Sequence, residues 1–420
     1  MPSASRRAVL GAGALLAAGP VLAAGPDAEA EAKRILERYH SFGDKASGGP
    51  GDEASGVWLE GELKALGYAV ARQGFQAPAY EGEATLTCGA AKAGLIPQAI
   101  VTPTPPAGVT GPLHGGDRDG GIALIVLPHA RWSTALGLVE QRVKAAKGDA
   151  VVLVTTGPTG EAVALNAPAD RKLFDRPVAV LAPRDAQPFV TAAAKGEAAT
   201  LTMAGRSFRR PAWNVTARLD RGAPRWLVLS TPRSGWFGCA GERGSGLAVW
   251  LMLSAWAART KLPVNVALVA TSGHEYEYQG GELYIHDVAP KPRDTALWLH
   301  IGANVAARDW HERGAQMSPL PSADSQRFLL AAAPLVPALT AAFAGQPGLE
   351  KPYAADPRMA AGELASILSA GHRMAMGIFG VHRFHHTRSD DLRCISPSLV
   401  PPVVEAFAKV IGPALQGGLA

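Results

Sequence analysis

Four short segments of almost uninterrupted apolar residues constrain the fold of this chain most strongly. They are WLVLS (226–230), VNVALVATS (264–272), TALWLHIG (295–302) and MAMGIFG (374–380). Helix-like segments such as GLAVWLMLSAWA and SLVPPVVEAFAKVIG separate or follow them. Apolar runs without alternation are typical of strands that are buried on both faces of a sheet. The pattern therefore predicts an α/β fold, a mostly parallel sheet with helices on both faces, whose ligand site lies beyond the carboxyl ends of the strands.

A stretch of different texture precedes these strands. From about Thr102 to Pro211, turns rich in Pro and Gly surround the short apolar strands IALIVLP, AVVLVTT and VAVLAP. This texture predicts a small α/β insert over residues 101–211, between two parts of one main domain, 26–100 and 212–420. Because the insert ends just before the WLVLS strand, we expect it to pack as a lid over the strand ends.

The first 25 residues have the features of an export signal. Arg6 and Arg7 precede an apolar run that ends in small residues suited to cleavage, Ala23 and Ala24. The order Ser-Arg-Arg-Ala-Val-Leu resembles the twin-arginine type of signal, which carries folded proteins across a membrane. The sequence therefore predicts a signal peptide over residues 1–25 and a periplasmic or secreted protein.

Composition and charge exclude several classes of protein. With 47% hydrophobic and 18% charged residues, the chain has the composition of a folded protein. The formal net charge of +5 is spread over many segments, with no Lys/Arg run after the first ten residues, which argues against a nucleic-acid partner. No segment after the signal predicts a membrane span in the mature protein. Oligomeric state cannot be deduced from these features.

The predicted strands end in polar residues of the types used for metal or proton chemistry. WLVLS is followed by Thr231 and Arg233, with Glu242 at the start of the next helix. VATS is followed by His274 and Glu275, and LWL by His300. The last strand leads into HRFHHTRSDD, which contributes His382, His385, His386, Asp390 and Asp391. Because the carboxyl ends of parallel strands share one edge of a sheet, these endings predict a site there.

The order of these motifs resembles the co-catalytic zinc aminopeptidase family, which also contains glutaminyl cyclases. The residues that carry the resemblance are NVTARL, GERGSG, GHEYEYQGG, HIG and HHTRSDD, each in its place between strands and helices. The resemblance covers the N-terminal helices and everything after Trp213. It implies that the insert is a protease-associated domain, which is often found at this place in the family.

Several of the family's motif positions are altered in this sequence. Where the family has a His-x-Asp, this chain has Thr231 and Arg233, and the metal-bridging Asp becomes Glu242. The family's Glu-Glu pair becomes His274 and Glu275, so that His stands in the place of the general base. The family's next Asp ligand aligns with His300 to within one residue, and its last His is kept as His386. The resemblance thus implies a divergent metal site.

The surviving positions imply one zinc ion or none. Glu242, Glu275 and His386 occupy positions that serve one metal, and His300 is a further ligand candidate. One His and two carboxylates with an open position suffice for a catalytic zinc ion. His382 and His385 remain alternatives to His386 as the residue that faces the site. The alternative for Glu242 is a structural role, because a negative charge is favourable in the first turn of a helix.

Two residues are candidates for catalytic roles. His274 suits general-base work because the unperturbed pKa of imidazole, about 6.5, is close to working pH. There are two alternatives for His274. It could be a metal ligand, or it could be a hydrogen-bonded residue that fills an inactive site. Arg233 is a candidate for a charge that replaces the lost metal and holds a substrate carboxylate.

The function predicted from the resemblance is that of an exported metal-dependent hydrolase. It would cleave an amide or peptide bond of a small substrate, a peptide or an acyl-amine. One alternative is a catalytically inactive relative that binds peptides or sugars in the same cleft. The other is an acyltransferase of the glutaminyl-cyclase type. The three cysteines, Cys88, Cys239 and Cys394, allow at most one disulfide, for which Cys239 and Cys394 are the candidates.

Overall fold

The computed structural model describes residues 26–97, 102–127, 136–172, 174–314, 316–358 and 360–417. The predicted signal peptide, residues 1–25, lies outside the described residues. Two helices come first, α1 (Pro26–His40) and α2 (Pro50–Ala65). Helix α2 has proline in its first turn, where the missing N–H removes no helical hydrogen bond.

Seven strands of the next part of the chain close into a ring. The strand order is β1-β2-β6-β5-β4-β3-β7, and β7 pairs with β1 to complete the circle. The elements are β1 (Ala69–Cys88), β2 (Ala91–Pro97), β3 (Val109–His114), β4 (Ile122–Leu127), α3 (Leu136–Ala145), β5 (Ala150–Thr155), β6 (Val178–Leu181), α4 (Pro183–Lys195) and β7 (Ala198–Leu219). Closure leaves no free sheet edge within the ring.

The predicted insert corresponds to most of this ring, but the ring also contains strands outside the predicted bounds of 101–211. Strand β2 precedes residue 101 and pairs with β6. Strands β1 and β7 are 20 and 22 residues long and run from the ring into the main sheet, paired antiparallel from Ala69↔Arg218 to Thr87↔Thr200. This continuous ribbon fixes the position of the ring relative to the main domain.

The main domain is built on a mixed sheet whose centre is parallel. Its order continues from β7 as β9-β8-β10-β15-β13-β14, and β9, β8, β10 and β15 run parallel to one another. The elements are β8 (Trp226–Pro232), α5 (Ser245–Arg259), β9 (Asn265–Thr271), α6 (Gln279–Asp287), β10 (Thr295–Ile301), β11 (Arg308–Arg313), β12 (Gln316–Ala323), β13 (Arg327–Ala331), α7 (Val336–Ala342), β14 (Tyr353–Ala354), α8 (Glu363–Ser369), β15 (Ala375–Gly380) and α9 (Val400–Leu415). The four predicted apolar strands are β8, β9, β10 and β15, and the predicted fold class is confirmed.

Alternate residues of the parallel strands pack against helices on opposite faces of the sheet. Leu227 and Leu229 of β8 lie in the large apolar core that includes α1, α2, α5 and α9. Val228, between them, packs on the other face in the cluster that includes Tyr284 of α6 and Leu364 of α8. Burial on both faces accounts for the absence of polar alternation in these strands.

One described helical segment, Pro397–Leu415, is long and apolar enough to cross a membrane by length and composition. Half of its most apolar window is buried inside the protein, and Val403, Phe407 and Ile411 are fully buried. Its apolar character is therefore explained by packing, largely against α5 and α7.

Candidate active site

The loops after β8, β9, β10 and β15 meet at the carboxyl edge of the parallel sheet. Among the described residues, six non-glycine residues have a positive φ angle, and all six lie in these loops. They are Phe237, Cys239, Glu277, Tyr278, Asn304 and His386. Such backbone conformations are costly and accumulate where the fold holds a site in place. This edge of the sheet is therefore the candidate site.

A single turn of π-helix at Ala240–Gly244 begins helix α5 and carries Glu242 and Arg243. The Asp390 carboxylate caps this turn, because it accepts hydrogen bonds from the backbone N–H of Gly241 (2.6 Å) and of Glu242 (3.0 Å). A helix N-terminus favours such a negative charge. Asp390 thus links the last loop to the π turn and fixes the direction of the Glu242 side chain. Turns of π-helix inside α-helices are frequent at functional sites.

Glu242 lies between two stacked imidazoles and a guanidinium. Its Oε1 atom is 3.0 Å from His386 Nε2 and 3.9 Å from His385 Nε2, and it also accepts from Arg243 Nη2. The rings of His385 and His386 stack at 4.1 Å. The second oxygen, Glu242 Oε2, is buried and has no hydrogen-bond partner, and the same is true of His385 Nδ1.

The hydrogen bond on the other side of His386 fixes its ring. Nδ1 lies 3.0 Å from the backbone oxygen of Ala164, which can only accept, so Nδ1 carries a hydrogen. Nε2 therefore either donates to Glu242 from an imidazolium or offers a lone pair to a metal ion. The donor atoms of Glu242, His385 and His386 all lie within 4.8 Å of one another. A carboxylate and two imidazoles are a ligand set that zinc accepts in catalytic sites.

The charges around Glu242 keep it ionised. Burial acts to raise its pKa, but Arg243 and then His386 outweigh that effect and hold the pKa well below its usual range. Burial, together with His386, lowers the pKa of His385 well below its usual range, so its imidazole is neutral at pH 7. A neutral imidazole and an ionised carboxylate are the forms that bind a metal ion.

A second cluster, missed by the sequence analysis, is centred on the buried carboxylate of Glu363. Its Oε1 atom lies 3.2 Å from His274 Nδ1 and accepts from Thr271 Oγ1 at 3.2 Å. Its Oε2 atom lies 3.6 Å from His300 Nδ1, which is also 3.0 Å from Ser230 Oγ. Glu363 therefore bridges His274, which follows β9, and His300, which lies near the end of β10, although β8 separates these two strands in the sheet.

Burial dominates the electrostatics of this second cluster. It lowers the pKa of His274 well below its usual range, helped by the positive charge of Arg243. It lowers the pKa of His300 to about 4 and raises the pKa of Glu363. Both imidazoles are thus neutral at pH 7, and the expectation that the pKa of His274 lies close to working pH is wrong because its ring is buried. With Nδ1 of His274 directed at a carboxylate, its Nε2 is left with the lone pair that can accept a proton.

The paired glycines of the GHEYEYQGG motif make this arrangement sterically feasible. A Cβ atom on Gly281 would lie 2.9 Å from Glu363 Cδ, and one on Gly280 would lie 2.0 Å from the backbone oxygen of Ser272. Either side chain would push α6 away from the loops that carry the site. The two glycines are therefore explained by close packing beside Glu363.

Glu275 does not join Glu242 and His386. Its Oε1 accepts from the backbone N–H of Ser47 and its Oε2 from Ser234 Oγ, both at 2.7 Å. Both carboxylate oxygens are thus engaged in a separate network beneath the site. Burial raises the pKa of Glu275 to about 7.

The Glu275→Gln variant is expected to remove a pH-dependent cost of folding. Because the folded pKa is raised above the unfolded value, the wild-type protein loses stability as pH rises from about 4.5 to about 7, by about 3 kcal/mol in total. The free energy of unfolding of the variant, relative to wild type, should therefore increase over that window in denaturant titrations. The exposed Glu83→Gln variant is the control. A difference between variant and wild type that does not change with pH would contradict the assignment, and a loss of bound metal would restore Glu275 as a ligand.

Arg233 points away from Glu242 and into the same separate network. Its Nε lies 3.0 Å from Asp52 Oδ1, and its other nitrogens donate to the backbone oxygens of Ala270 (3.1 Å) and Trp213 (2.7 Å). The side chain is fully buried. Each of the three nitrogens is thus bonded within this buried network, so the expected role of Arg233 as a clamp for a substrate carboxylate has no support in the geometry.

Arg243 is the cation that lies at the candidate site. It contacts Glu242 through Nη2 and donates from Nε to the backbone oxygen of Ser234 at 3.1 Å. Within the described part of the chain, Nη1 donates no hydrogen bond to any residue. Its positive charge contributes to the low pKa of Glu242, His274 and His300. Arg243 thus lies between the two clusters and acts on both.

The third histidine of the last loop belongs to a structural contact. His382 Nε2 lies 3.3 Å from Asp390 Oδ2, the carboxylate that caps the π turn. Cys394 lies beside this pair and donates to the backbone oxygen of Ser389 at 3.3 Å, while Cys239 is 3.2 Å from the hydroxyl of Tyr39. All three cysteines are free and buried, so the disulfide considered between Cys239 and Cys394 is not formed.

Solved structures with the same architecture include three peptidases. The chain aligns with an aminopeptidase from Aneurinibacillus sp. strain AM-1 (16% identity, TM-score 0.67, 92% of this chain and 93% of that one). It aligns with the zinc aminopeptidase BSAP from Bacillus subtilis (15% identity, TM-score 0.70, 91% and 93%) and with a peptidase M28 precursor from Shewanella amazonensis SB2B (14% identity, TM-score 0.67, 93% and 97%). The fold is that of the zinc aminopeptidases. No protein-family model and no curated protein sequence matches the chain.

On this aminopeptidase fold, the six residues predicted for the site divide into three groups. Glu242 and His386 are in contact, whereas His274 and His300 converge on Glu363. Glu275 and Arg233 belong to the network with Ser234 and Asp52. Glu363 could not be recognised because an acidic residue after glycine at a helix start is usually explained by the helix dipole.

Proposed function

We propose that the protein is a metal-dependent hydrolase that cleaves an amide or peptide bond of a small substrate with one divalent ion. The observation that carries this proposal is the contact between Glu242 and His386, with His385 beside them and Glu242 Oε2 buried without a partner. These residues fit a single zinc ion by their chemistry, and the zinc aminopeptidases of the same fold support that choice.

In this proposal Glu242, His386 and His385 hold the ion. A zinc ion bound there would act as a Lewis acid toward the scissile carbonyl. His274 accepts the proton of the attacking water at Nε2, and Glu363 orients its ring through Nδ1 and stabilises the imidazolium that forms. Arg243 takes the anion-binding role first assigned to Arg233, because Nη1 remains free to donate to a negatively charged oxygen.

The pair of Arg243 and Glu242 favours a second candidate function. A buried carboxylate that is already neutralised by a guanidinium needs no metal ion to remain charged. This arrangement is what a catalytically inactive relative would require if it bound peptides or sugars in the same cleft. The two candidates differ in whether purified protein carries metal and whether it turns over any substrate.

The proposed activity can be tested on aminoacyl 4-nitroanilides and N-acyl amines. The purified mature protein is expected to release amine from at least one of these substrates. A chelator should stop the reaction, zinc should restore it, and Glu242→Gln should abolish it, with Glu83→Gln as the control variant. Activity that survives both the chelator and Glu242→Gln would contradict the mechanism. Ligand binding without metal or turnover would favour the inactive relative.

The predicted export stays a proposal that accompanies this function. A signal over residues 1–25 would deliver the mature chain to the periplasm or the medium, where small peptides are available as substrates.

A further inference from the structure

The insert contributes one buried segment to the candidate site. The segment Glu161–Ala169, here called the strap, connects β5 to β6 and lies on the loops that follow β8, β9 and β15. Most of its residues are buried, although it contains no helix or strand. Buried irregular backbone is uncommon because its polar groups need partners. Several of the partners of the strap are found in the main domain.

The strap is bonded to each of those three loops. Its Ala164 N–H donates to the backbone oxygen of His386 at 2.9 Å, and the Ala164 oxygen accepts from His386 Nδ1 at 3.0 Å. The Ala167 N–H donates to the backbone oxygen of Glu275 at 3.0 Å. Asn166 Oδ1 accepts from Trp236 Nε1 at 3.0 Å. The strap thus contacts the loops that carry the histidines, the Glu275 network and the approach to the π turn.

Apolar contacts reinforce these bonds. Val163, Ala164 and Ala167 are buried in one cluster, and three aromatic side chains of the main domain share it: Trp236, Phe237 and Tyr276. The strap is tied to the ring at both ends. Val163 N–H donates to Thr155 Oγ1 at 3.0 Å, and Arg209 donates twice to the Ala169 oxygen, at 2.7 and 2.8 Å. The middle of the strap is therefore the part that can leave the site while its ends stay attached.

The strap covers a site that is closed to solvent. The most exposed side chains of the two clusters are His274 at 12% and His385 at 11%, while Glu242, Glu363, His300 and His386 are exposed by 3% or less. Two cavities of about 750 and 230 Å³ lie elsewhere on the described surface, and none of these six residues lines either of them. A substrate that reacts at these groups needs an opening that this conformation does not provide.

We propose that the strap is a gate and a specificity element: it withdraws from the His386 and Trp236 loops to admit a small substrate, and on return its Ala164 oxygen orients His386 toward Glu242. Its role as a specificity element rests on the proposed hydrolase function, whereas its role as a gate does not. Opening of this kind would break the bonds of Ala164, Asn166 and Ala167 to the main domain, while the bonds of Val163 and Ala169 to the ring remain. The strap would limit substrates to small amides, because a long peptide would keep it displaced.

Chemical modification of histidines with diethyl pyrocarbonate, followed by mass spectrometry, tests the gate without any substrate. The reagent labels accessible neutral imidazoles. In wild-type protein, His274 and His385 should react much more slowly than His286, whose side chain is 89% exposed. In the double variant Val163→Gly with Asn166→Ala, both should react about 10- to 100-fold faster, because the strap has lost an apolar anchor and its bond to Trp236.

Two internal controls and one control variant make the result specific. His372 is buried at a distance from the strap, against Trp298, so it should stay protected unless the whole fold loosens. The Gln187→Ala variant, on exposed helix α4 of the same ring, should react like wild type. Unchanged labelling of His274 and His385 in the double variant would overturn the gate, and so would labelling in wild type as fast as that of His286.

A parallel assay separates the gate from the proposed function. If the protein hydrolyses amides, the double variant should raise kcat/KM for a tripeptide relative to a single aminoacyl anilide, by about tenfold. An unchanged ratio together with faster labelling would limit the strap to access and overturn its role in specificity. Absence of hydrolysis in wild type and variant alike would overturn the proposed function, while the labelling result would still decide the gate.

Discussion

Replacement of Arg243 by glutamine is expected to destabilise the metal-free protein by about 3 to 5 kcal/mol, because a buried carboxylate loses the cation that keeps it charged. Glu242 is completely buried, and the Arg243 guanidinium is its only full positive charge in direct contact within the described residues. The free energy of unfolding, measured in denaturant with a chelator present, gives the size of the loss.

Zinc should then rescue this variant. A divalent ion held by Glu242, His385 and His386 would supply the charge that the guanidinium no longer provides. At a hundredfold excess over its dissociation constant, a ligand stabilises the folded state by about 2.7 kcal/mol. We expect zinc to stabilise Arg243→Gln more than wild type. In wild type the Glu242 carboxylate is shared between the ion and the Arg243 guanidinium, whereas in the variant it binds the ion alone.

The control for this experiment is Arg233→Gln. Arg233 is the other fully buried arginine paired with a carboxylate, Asp52, but it lies in the network away from the imidazoles. Its replacement should also destabilise the protein, whereas zinc should stabilise that variant no more than wild type. Equal rescue of both variants would show that Arg243 is not the cation of the metal site. A change of less than about 1 kcal/mol for Arg243→Gln would refute the claim that Glu242 depends on it.

Replacement of His274 should have the largest effect on catalysis. A positioned general base contributes about 10²- to 10⁴-fold to the rate, so His274→Gln should lower kcat by that factor on any substrate that the wild type hydrolyses. KM should change much less, because the proton is transferred in the transition state. Glu363→Gln should lower kcat by a smaller factor, roughly tenfold, because it keeps the shape of the side chain but removes the charge that stabilises the imidazolium.

The matched control lies on the neighbouring helix. Glu282 of α6 is bonded to Ser366 of α8, close to Glu363 but on the outer surface, so Glu282→Gln should leave kcat unchanged. A stability measurement on each variant separates loss of chemistry from loss of fold. If His274→Gln retained kcat within about threefold, a general base other than His274 would be required.

The sequence predicted the sheet well because its signal is local. The strands β8, β9, β10 and β15 consist almost entirely of apolar residues. Their burial can therefore be predicted from residue type alone, without knowledge of distant partners. The length of β1 and β7 could not be predicted in the same way. Most middle residues of β7 are exposed, and the buried centre of β1 is the short segment 77–79 of Ala, Pro and Ala, so the ribbon between ring and main sheet has no long apolar pattern. Its pairing is determined by partners more than 100 residues apart in sequence.

The sequence analysis predicts a site at the carboxyl edge of the sheet, but it could not predict the contacts of the residues there. Motif spacing places Arg233 and Arg243 in the same loop region, yet the direction of each side chain depends on where Asp52 and Glu242 lie in space. Glu363 belongs to no motif and reaches His274 only because α8 packs beside α6. His385 was considered only as an alternative to His386, whereas the stacking of the two rings brings both to Glu242.

We propose a remodelled site in which one metal ion remains and Arg243 replaces the charge of a second. Among the described residues, the cluster of Glu242, His385 and His386 contains one carboxylate, which Arg243 already contacts, so no second carboxylate is there to offset the charge of a further dication. Elemental analysis of the purified protein, reconstituted with excess zinc and then desalted, tests this most directly. We predict one zinc ion per chain in wild type and none in His386→Ala. Two tightly bound ions per chain, or one ion that persists in His386→Ala, would contradict the account.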